Sequence, residues 1–72
     1  MTMPNERTRT VLQTKEFLLD LQNEKKSAGV PESVRKEAHR LLRHYPDAWH
    51  LDSAHHGAPY LWGPVPDGMK TL

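Results

Sequence analysis

The sequence predicts an all-α fold, built as an antiparallel helical hairpin with a short third helix and an irregular aromatic C-terminal tail. Two long segments have apolar residues at the three- and four-residue spacing of an amphipathic helix. Glycine and proline separate these segments from each other and from the tail. We therefore expect a single small helical domain over residues 1–72.

The first helix is predicted from about residue 5 to residue 24. Pro4 suits a first turn, and Thr2 or Asn5 could cap it. Its apolar arc of about 220° is wider than one partner helix can cover. We infer two apolar contact strips, or seams, along this helix. One seam should pack against the second helix, and the other against the C-terminal segment or a second copy of the chain. One seam contains Val11, Thr14, Phe17, Leu18 and Leu21, and the other contains Leu12 and Leu19.

The second helix is predicted over residues 31–45, after a loop at 25–30. Pro31 fits the first helical position, and Pro46 disfavours helical geometry at the residue before it. An apolar stripe spans about 100° of this helix. The stripe consists of Val34, Ala38, Leu41, Leu42 and Tyr45.

The third helix is predicted over about 47–55, with Gly57 as its stop. Its buried side should contain Ala48, Leu51 and Ala54, joined by Trp49. The tail is too rich in proline and glycine to be helical. We expect Tyr60, Leu61 and Trp62 to fold back onto the first helix, and residues 64–72 to form a frayed tail.

Composition excludes several classes of protein. The chain has 72 residues and no cysteine, so it has neither a disulfide nor a thiolate metal site. No apolar run approaches the roughly 20 residues of a membrane span, and the N-terminus lacks the apolar core of a secretory signal. We therefore expect a soluble, cytoplasmic protein with no membrane partner. Because so short a chain has a marginal core, oligomerisation or a partner would help it to fold.

The charge is polarised along the chain. The net charge is +1 over residues 1–29, +2 over 30–45 and −2 over 46–72. The second helix concentrates basic and imidazole side chains on its polar side, and we predict that they bind a partner. They are Arg35, Lys36, His39, Arg40, Arg43 and His44. A solvated face that complements the helix dipole is the alternative interpretation.

A nucleic-acid partner for this basic side is an alternative prediction. The helices at 31–45 and 47–55 resemble a helix-turn-helix pair, in which the helix after the turn reads the bases. That helix contains Asp47 and Asp52 and has no lysine or arginine. Sequence-specific DNA binding is therefore disfavoured, whereas nonspecific contact through the middle helix stays open.

Five histidines between positions 39 and 56 allow a second alternative, a histidine-mediated metal site. The pairs His39–His44 and His50–His55 are five residues apart, whereas two ligands on one helical face are normally four apart. We therefore predict no resident metal and no cofactor. His50 with Asp47, and His55 with Asp52, could form local ion pairs.

Features of an enzyme are absent from the sequence. It contains no cysteine nucleophile and no glycine-rich phosphate loop. Three short helices also do not easily enclose a substrate cavity of about 300 Å³ or more. We predict no enzymatic activity and no small-molecule substrate.

The leading functional prediction is a protein-binding module that acts by electrostatic docking or by dimerisation. The first helix is acidic at Glu16, Asp20 and Glu24, and the second is basic, so the opposed charges suit protein recognition. Aromatic and leucine side chains suggest a second interface. They are Phe17, Leu21, Tyr60 and Trp62.

The chain resembles a family of small proteobacterial proteins that has no assigned activity, cofactor or catalytic residue. The resemblance lies in the stretches MTMPNERTRTVLQTKEFLLDL and RKEAHRLLRHYP and in the tail element PYLWG. It implies a bacterial protein of the cytosol that is not secreted and that could come from a mobile element or phage. It implies no functional residues. The functional prediction itself includes a small bacterial or phage regulator or inhibitor.

Overall fold

The computed structural model describes residues 2–72 and shows an all-α protein, which confirms the predicted fold class. The helices are α1 at Pro4–Gln22, α2 at Glu32–Leu42 and α3 at Ala48–Gly57. A 3-10 turn follows at Asp67–Met69. Within residues 2–72, no helix is both long and apolar enough to cross a membrane.

Three helix ends lie two or more residues from their predicted positions, and the first is that of α1, which ends at Gln22 rather than at residue 24. α2 ends at Leu42 rather than at residue 45, and the chain continues in tighter turns. The amide of His44 donates to the carbonyl of Leu41, and the amide of Tyr45 donates to that of Leu42, each at 3.3 Å. Pro46 contributes to the early end, because it has no amide hydrogen to donate to the Leu42 carbonyl and it disfavours helical geometry at Tyr45. α3 includes Gly57, and the amide of Ala58 closes its last turn at Ala54.

The chain forms two compact units that share α1. The hairpin unit is Thr14–Tyr45, and the terminal unit combines Pro46–Leu72 with the residues before Thr14. The sequence predicted one domain and gave no sign of this division.

The hairpin unit contains the end of α1, the connecting loop and α2, as the predicted antiparallel hairpin requires. Gly29 has a φ of +85°, a conformation that side chains disfavour, and it permits the turn into α2. Ser27 Oγ lies within hydrogen-bond distance of the carbonyls of Asp20, Leu21 and Asn23, the nearest being Asp20 at 2.8 Å. Its single hydrogen can be donated to one of them at a time, and a helix end leaves such carbonyls without an internal partner.

The core of the terminal unit joins the two ends of the chain. Leu12 of α1 is completely buried and packs with Ala48 and Leu51 of α3 and with Val65 of the tail. Beside this cluster, the Thr8 hydroxyl is also completely buried and donates to the Gly63 carbonyl at 3.0 Å. The predicted seam at Leu12 thus meets the C-terminal segment.

The prediction of a frayed tail over residues 64–72 was wrong. Val65 is only 8% exposed, and Met69 and Leu72 pack against the core. The amide of Ala48 also donates to the carbonyl of Leu72 at 3.1 Å. Apolar side chains beyond the prolines therefore cover α1 and α3, and the prolines only prevent the segment from being helical.

Three aromatic side chains lie elsewhere than predicted. Trp49 is 64% exposed and stacks on His50 instead of joining the buried side of α3. Tyr60 is also exposed, so only Trp62 of the tail aromatics packs on the core. Phe17 is 60% exposed, so most of its side chain is not buried in the hairpin unit as the predicted seam required.

Candidate functional site

The basic residues predicted to bind a partner differ in the contacts that they make within the chain. The guanidinium of Arg35 is directed at the loop, where it donates to the carbonyl of Leu21 at 2.8 Å and to that of Ser27 at 2.7 Å. Arg35 therefore stabilises the hairpin, although the sequence predicted it to bind a partner.

Arg40 forms an ion pair with Glu37, one turn earlier on the same helix. The hydrogen bond from Arg40 holds the pKa of the Glu37 carboxyl below its ordinary value, and the same bond raises the pKa of Arg40. Both groups are well exposed, so water screens this pair and either partner can exchange it for another.

The other basic and imidazole side chains of α2 and of the two residues after it have no charged partner within the hairpin unit. Lys36, His39, Arg43 and His44 are all exposed. Across residues 2–72, their side chains take part in no hydrogen bond or ion pair. We call these four residues and Arg40 the cationic face. Exposed cations elsewhere, such as Lys26 and Lys70, instead pair with a nearby aspartate at 3.4 Å and 3.0 Å.

A second surface feature of the hairpin unit is an apolar groove of about 420 Å³ between α1 and α2. Its apolar lining consists of Leu18, Leu21, Val34, Ala38 and Leu41. Ala38 is buried, but Val34 and Leu41 are 40% and 44% exposed. The depression is open to solvent, and it is larger than we expected for three short helices.

The predicted second interface is divided between the two units. Leu21 lines the apolar groove, and Phe17 lies one turn before it on α1. Tyr60 and Trp62 belong to the terminal unit, where Tyr60 is exposed and Trp62 packs on the core. The width of the apolar arc on α1 was the only sequence signal for the groove.

The histidines of α3 have local structural partners. His50 Nδ1 accepts a hydrogen bond from the amide of Asp47 at 3.0 Å, which forms part of a capping box at the start of α3. His55 Nδ1 lies 2.9 Å from the carbonyl of Trp62, and not beside Asp52 as predicted. Asp52 is instead near His56, with 3.7 Å between Nδ1 and Oδ1.

Metal-binding geometry was not found in the part of the chain that the structure describes. Among residues 2–72, no three histidine, aspartate or glutamate side chains are grouped so that they could hold a metal ion. The histidine spacing of five residues explains this result, because such pairs point to different sides of a helix.

Comparison with known proteins supplies no relative. The chain matches no family model, no curated protein and no solved structure.

Proposed function

We propose that this chain is a non-enzymatic protein-binding module whose cationic face docks on an acidic surface of a partner protein. The observation that carries the proposal is that the basic and imidazole side chains Lys36, His39, Arg43 and His44 are exposed and have no charged partner in the described chain. Stability alone favours placing an opposite charge beside each cation, as at Lys26 and Lys70. Arg43 has no acidic residue one turn before it, and Lys36 forms no ion pair with Glu32, although Glu32 lies one turn earlier on α2.

The proposal favours protein over nucleic acid because the surrounding charge is mixed. A nucleic-acid surface normally has a strong excess of lysine and arginine over a whole domain. Here the net charge is only +1, and Glu32 and Glu37 lie on the same short helix as the cations. A patch of this size suits a partner that presents a few carboxylates.

The resemblance to small proteobacterial proteins extends this proposal. It would place the partner in a bacterial cytoplasm, and regulation or inhibition of that partner is the role we propose. Both points stay predictions.

The test reverses one charge of the cationic face. Wild-type protein and the Arg43→Glu variant are used as baits in nuclease-treated lysate of the source organism, and captured proteins are identified by mass spectrometry. We expect a protein that wild type captures and the variant does not. With that protein purified, calorimetry should show binding weakened by about tenfold in the variant, because an attraction is lost and a repulsion is added.

Arg9→Glu is the matched control. Arg9 is another exposed helical arginine without a charged partner in the described chain, and the substitution changes the net charge equally. Equal losses with both variants would show that only net charge matters and would contradict docking through α2. Tight binding of a labelled single-stranded oligonucleotide by wild type, lost with Arg43→Glu, would assign the cationic face to nucleic acid instead.

A further inference from the structure

The five histidines of the chain differ in whether the fold itself occupies their ring nitrogens. Those of α3 have Nδ1 within 3.0 Å of a backbone atom of the terminal unit, as seen at His50, His55 and His56. His39 and His44 of the cationic face are exposed, and among residues 2–72 their rings have no hydrogen-bond, ion-pair or ring partner. Both nitrogens of these two rings can therefore donate to a bound molecule when the imidazole is charged.

We infer that protonation of His39 and His44 regulates the cationic face, so that its affinity for an acidic partner rises as the pH falls below neutral. This inference rests on the proposed function, because it concerns the same surface and the same class of partner. Histidine ordinarily changes its charge between about pH 5 and pH 8. Lysine and arginine stay charged over that range, so the histidines alone supply a pH dependence to this face.

Protonation of the two histidines doubles the net charge of the segment that contains the cationic face. Residues 36–44 include three fixed cations, Lys36, Arg40 and Arg43, and one carboxylate, Glu37, so their net charge is +2 with neutral imidazoles. Two charged imidazoles raise this value to +4. Because Arg40 already pairs with Glu37, the histidines equal in number the fixed cations that have no charged partner in the described chain.

The surroundings of His39 are electrically balanced when its ring is neutral. Together with Gln22, it lines a polar depression of about 370 Å³ within the hairpin unit, and the other lining residues are all charged. They are Glu24, Glu32, Arg35 and Lys36. Two carboxylates thus match two cations, and neither carboxylate forms an ion pair with His39. The charge state of His39 consequently decides whether this depression is neutral or positive.

The surroundings of His44 are basic. Arg43 precedes it directly, and Arg40 lies four residues earlier. Within residues 2–72, no carboxylate forms an ion pair with His44, so acidification adds a cation that the chain itself does not neutralise. A carboxylate of the partner favours the charged form of a nearby imidazole. Docking should therefore take up protons, and by linkage a lower pH should strengthen docking.

The expected effect is moderate in size. Each exposed ion pair strengthens binding by roughly two- to threefold, so two histidines should raise the affinity about fivefold between about pH 7.5 and about pH 5.5. Because exposed charges are screened by salt, the gain should shrink as the ionic strength rises. Below about pH 5 the affinity should fall again, since the carboxylates of the partner begin to lose their charge.

The experiment measures the binding of poly-L-aspartate to the full chain by calorimetry at these two pH values and one ionic strength. This probe presents carboxylates that stay ionised down to about pH 5. Wild type should bind about fivefold more tightly at the lower pH. The measured heat should also vary with the ionisation enthalpy of the buffer, which reports the proton uptake. For the double variant His39→Gln/His44→Gln, the two affinities should differ by less than about twofold.

The matched control is the double variant His50→Gln/His56→Gln, which removes two exposed histidines from α3. It should keep the fivefold gain, and glutamine at position 50 suits the capping box. Equal gains in the two double variants would overturn the inference. Circular dichroism of each variant verifies that the helices are retained.

Arg43→Glu separates this inference from the proposed function. The variant should bind poly-L-aspartate more weakly than wild type at both pH values, because it reverses a fixed charge of the cationic face. Binding that depends on Arg43 but is equal at the two pH values would overturn the inference alone. No binding by wild type at either pH, or equal binding by wild type and Arg43→Glu, would contradict the proposed function and the inference together.

Discussion

At the scale of single residues, close packing between the chain ends depends on Gly63. Its amide donates to the carbonyl of Pro4 at 3.0 Å, while its own carbonyl accepts from the buried hydroxyl of Thr8. The tail backbone therefore lies directly against the first turns of α1. A side chain at position 63 would occupy space already filled by Asn5, since a Cβ there would be 2.6 Å from the Asn5 nitrogen.

Gly63→Ala should lower the free energy of unfolding by about 1–3 kcal/mol, because backbone must shift to admit the methyl group. Urea unfolding followed by circular dichroism measures the change. Gly57→Ala is the control, since the position is helical and has open space around it. That substitution should be neutral or stabilise by up to about 1 kcal/mol. Equal effects at both positions would contradict the close approach to Asn5.

At the scale of elements, the turn between α1 and α2 is held by one arginine. Arg35 reaches back from the first turns of α2 to two carbonyls, at the end of α1 and in the loop. The planar guanidinium can bond both acceptors at once, whereas an ammonium group on a flexible stem cannot do so in a fixed geometry. The loop conformation thus depends on the shape of this group and not only on its charge.

Arg35→Lys should therefore destabilise the hairpin unit by roughly 1–3 kcal/mol although the charge is kept. Faster amide hydrogen exchange in the loop at 23–30, together with a lower urea midpoint, would show the loss. Arg43→Lys makes the same chemical change at an exposed arginine without partners, and it should stay within about 0.5 kcal/mol of wild type. If the two variants were equally stable, Arg35 would have no role in the turn.

At the scale of the whole molecule, the buried apolar core belongs to the unit that contains both chain ends. Leu12 and Val65 are separated by most of the sequence and pack in one cluster with α3. The hairpin unit has shorter-range contacts, and Ala38 is its one buried residue. The free energy of unfolding should consequently be more sensitive to substitutions in the terminal unit than to those in the hairpin unit.

Val65→Ala should cost about 1–3 kcal/mol, since it removes buried methyl groups and leaves a void beside Leu12. Val34→Ala deletes the same atoms from a side chain that is 40% exposed, and it should cost less than about 1 kcal/mol. Thermal unfolding of the two variants compares these costs. Equal costs would mean that the tail is frayed after all.

The sequence by itself determined the number of helices, the approximate ends of each and the charges on each face. These properties depend on residues within a few positions of each other, such as the helical spacing in α2 and the effect of Pro46 on Tyr45. The cationic face could be predicted for the same reason, because its members lie within the nine residues 36–44, three of them on α2.

Only the tertiary structure decided which predicted site residues are exposed and where the tail lies. Arg35 binds a carbonyl 14 residues away, and Thr8 binds one 55 residues away, distances over which helical periodicity contains no information. Val65 follows prolines that indicate irregular backbone, yet irregular backbone can still bury an apolar side chain. Local spacing fixes the helices, whereas burial depends on contacts between segments that are far apart in the chain.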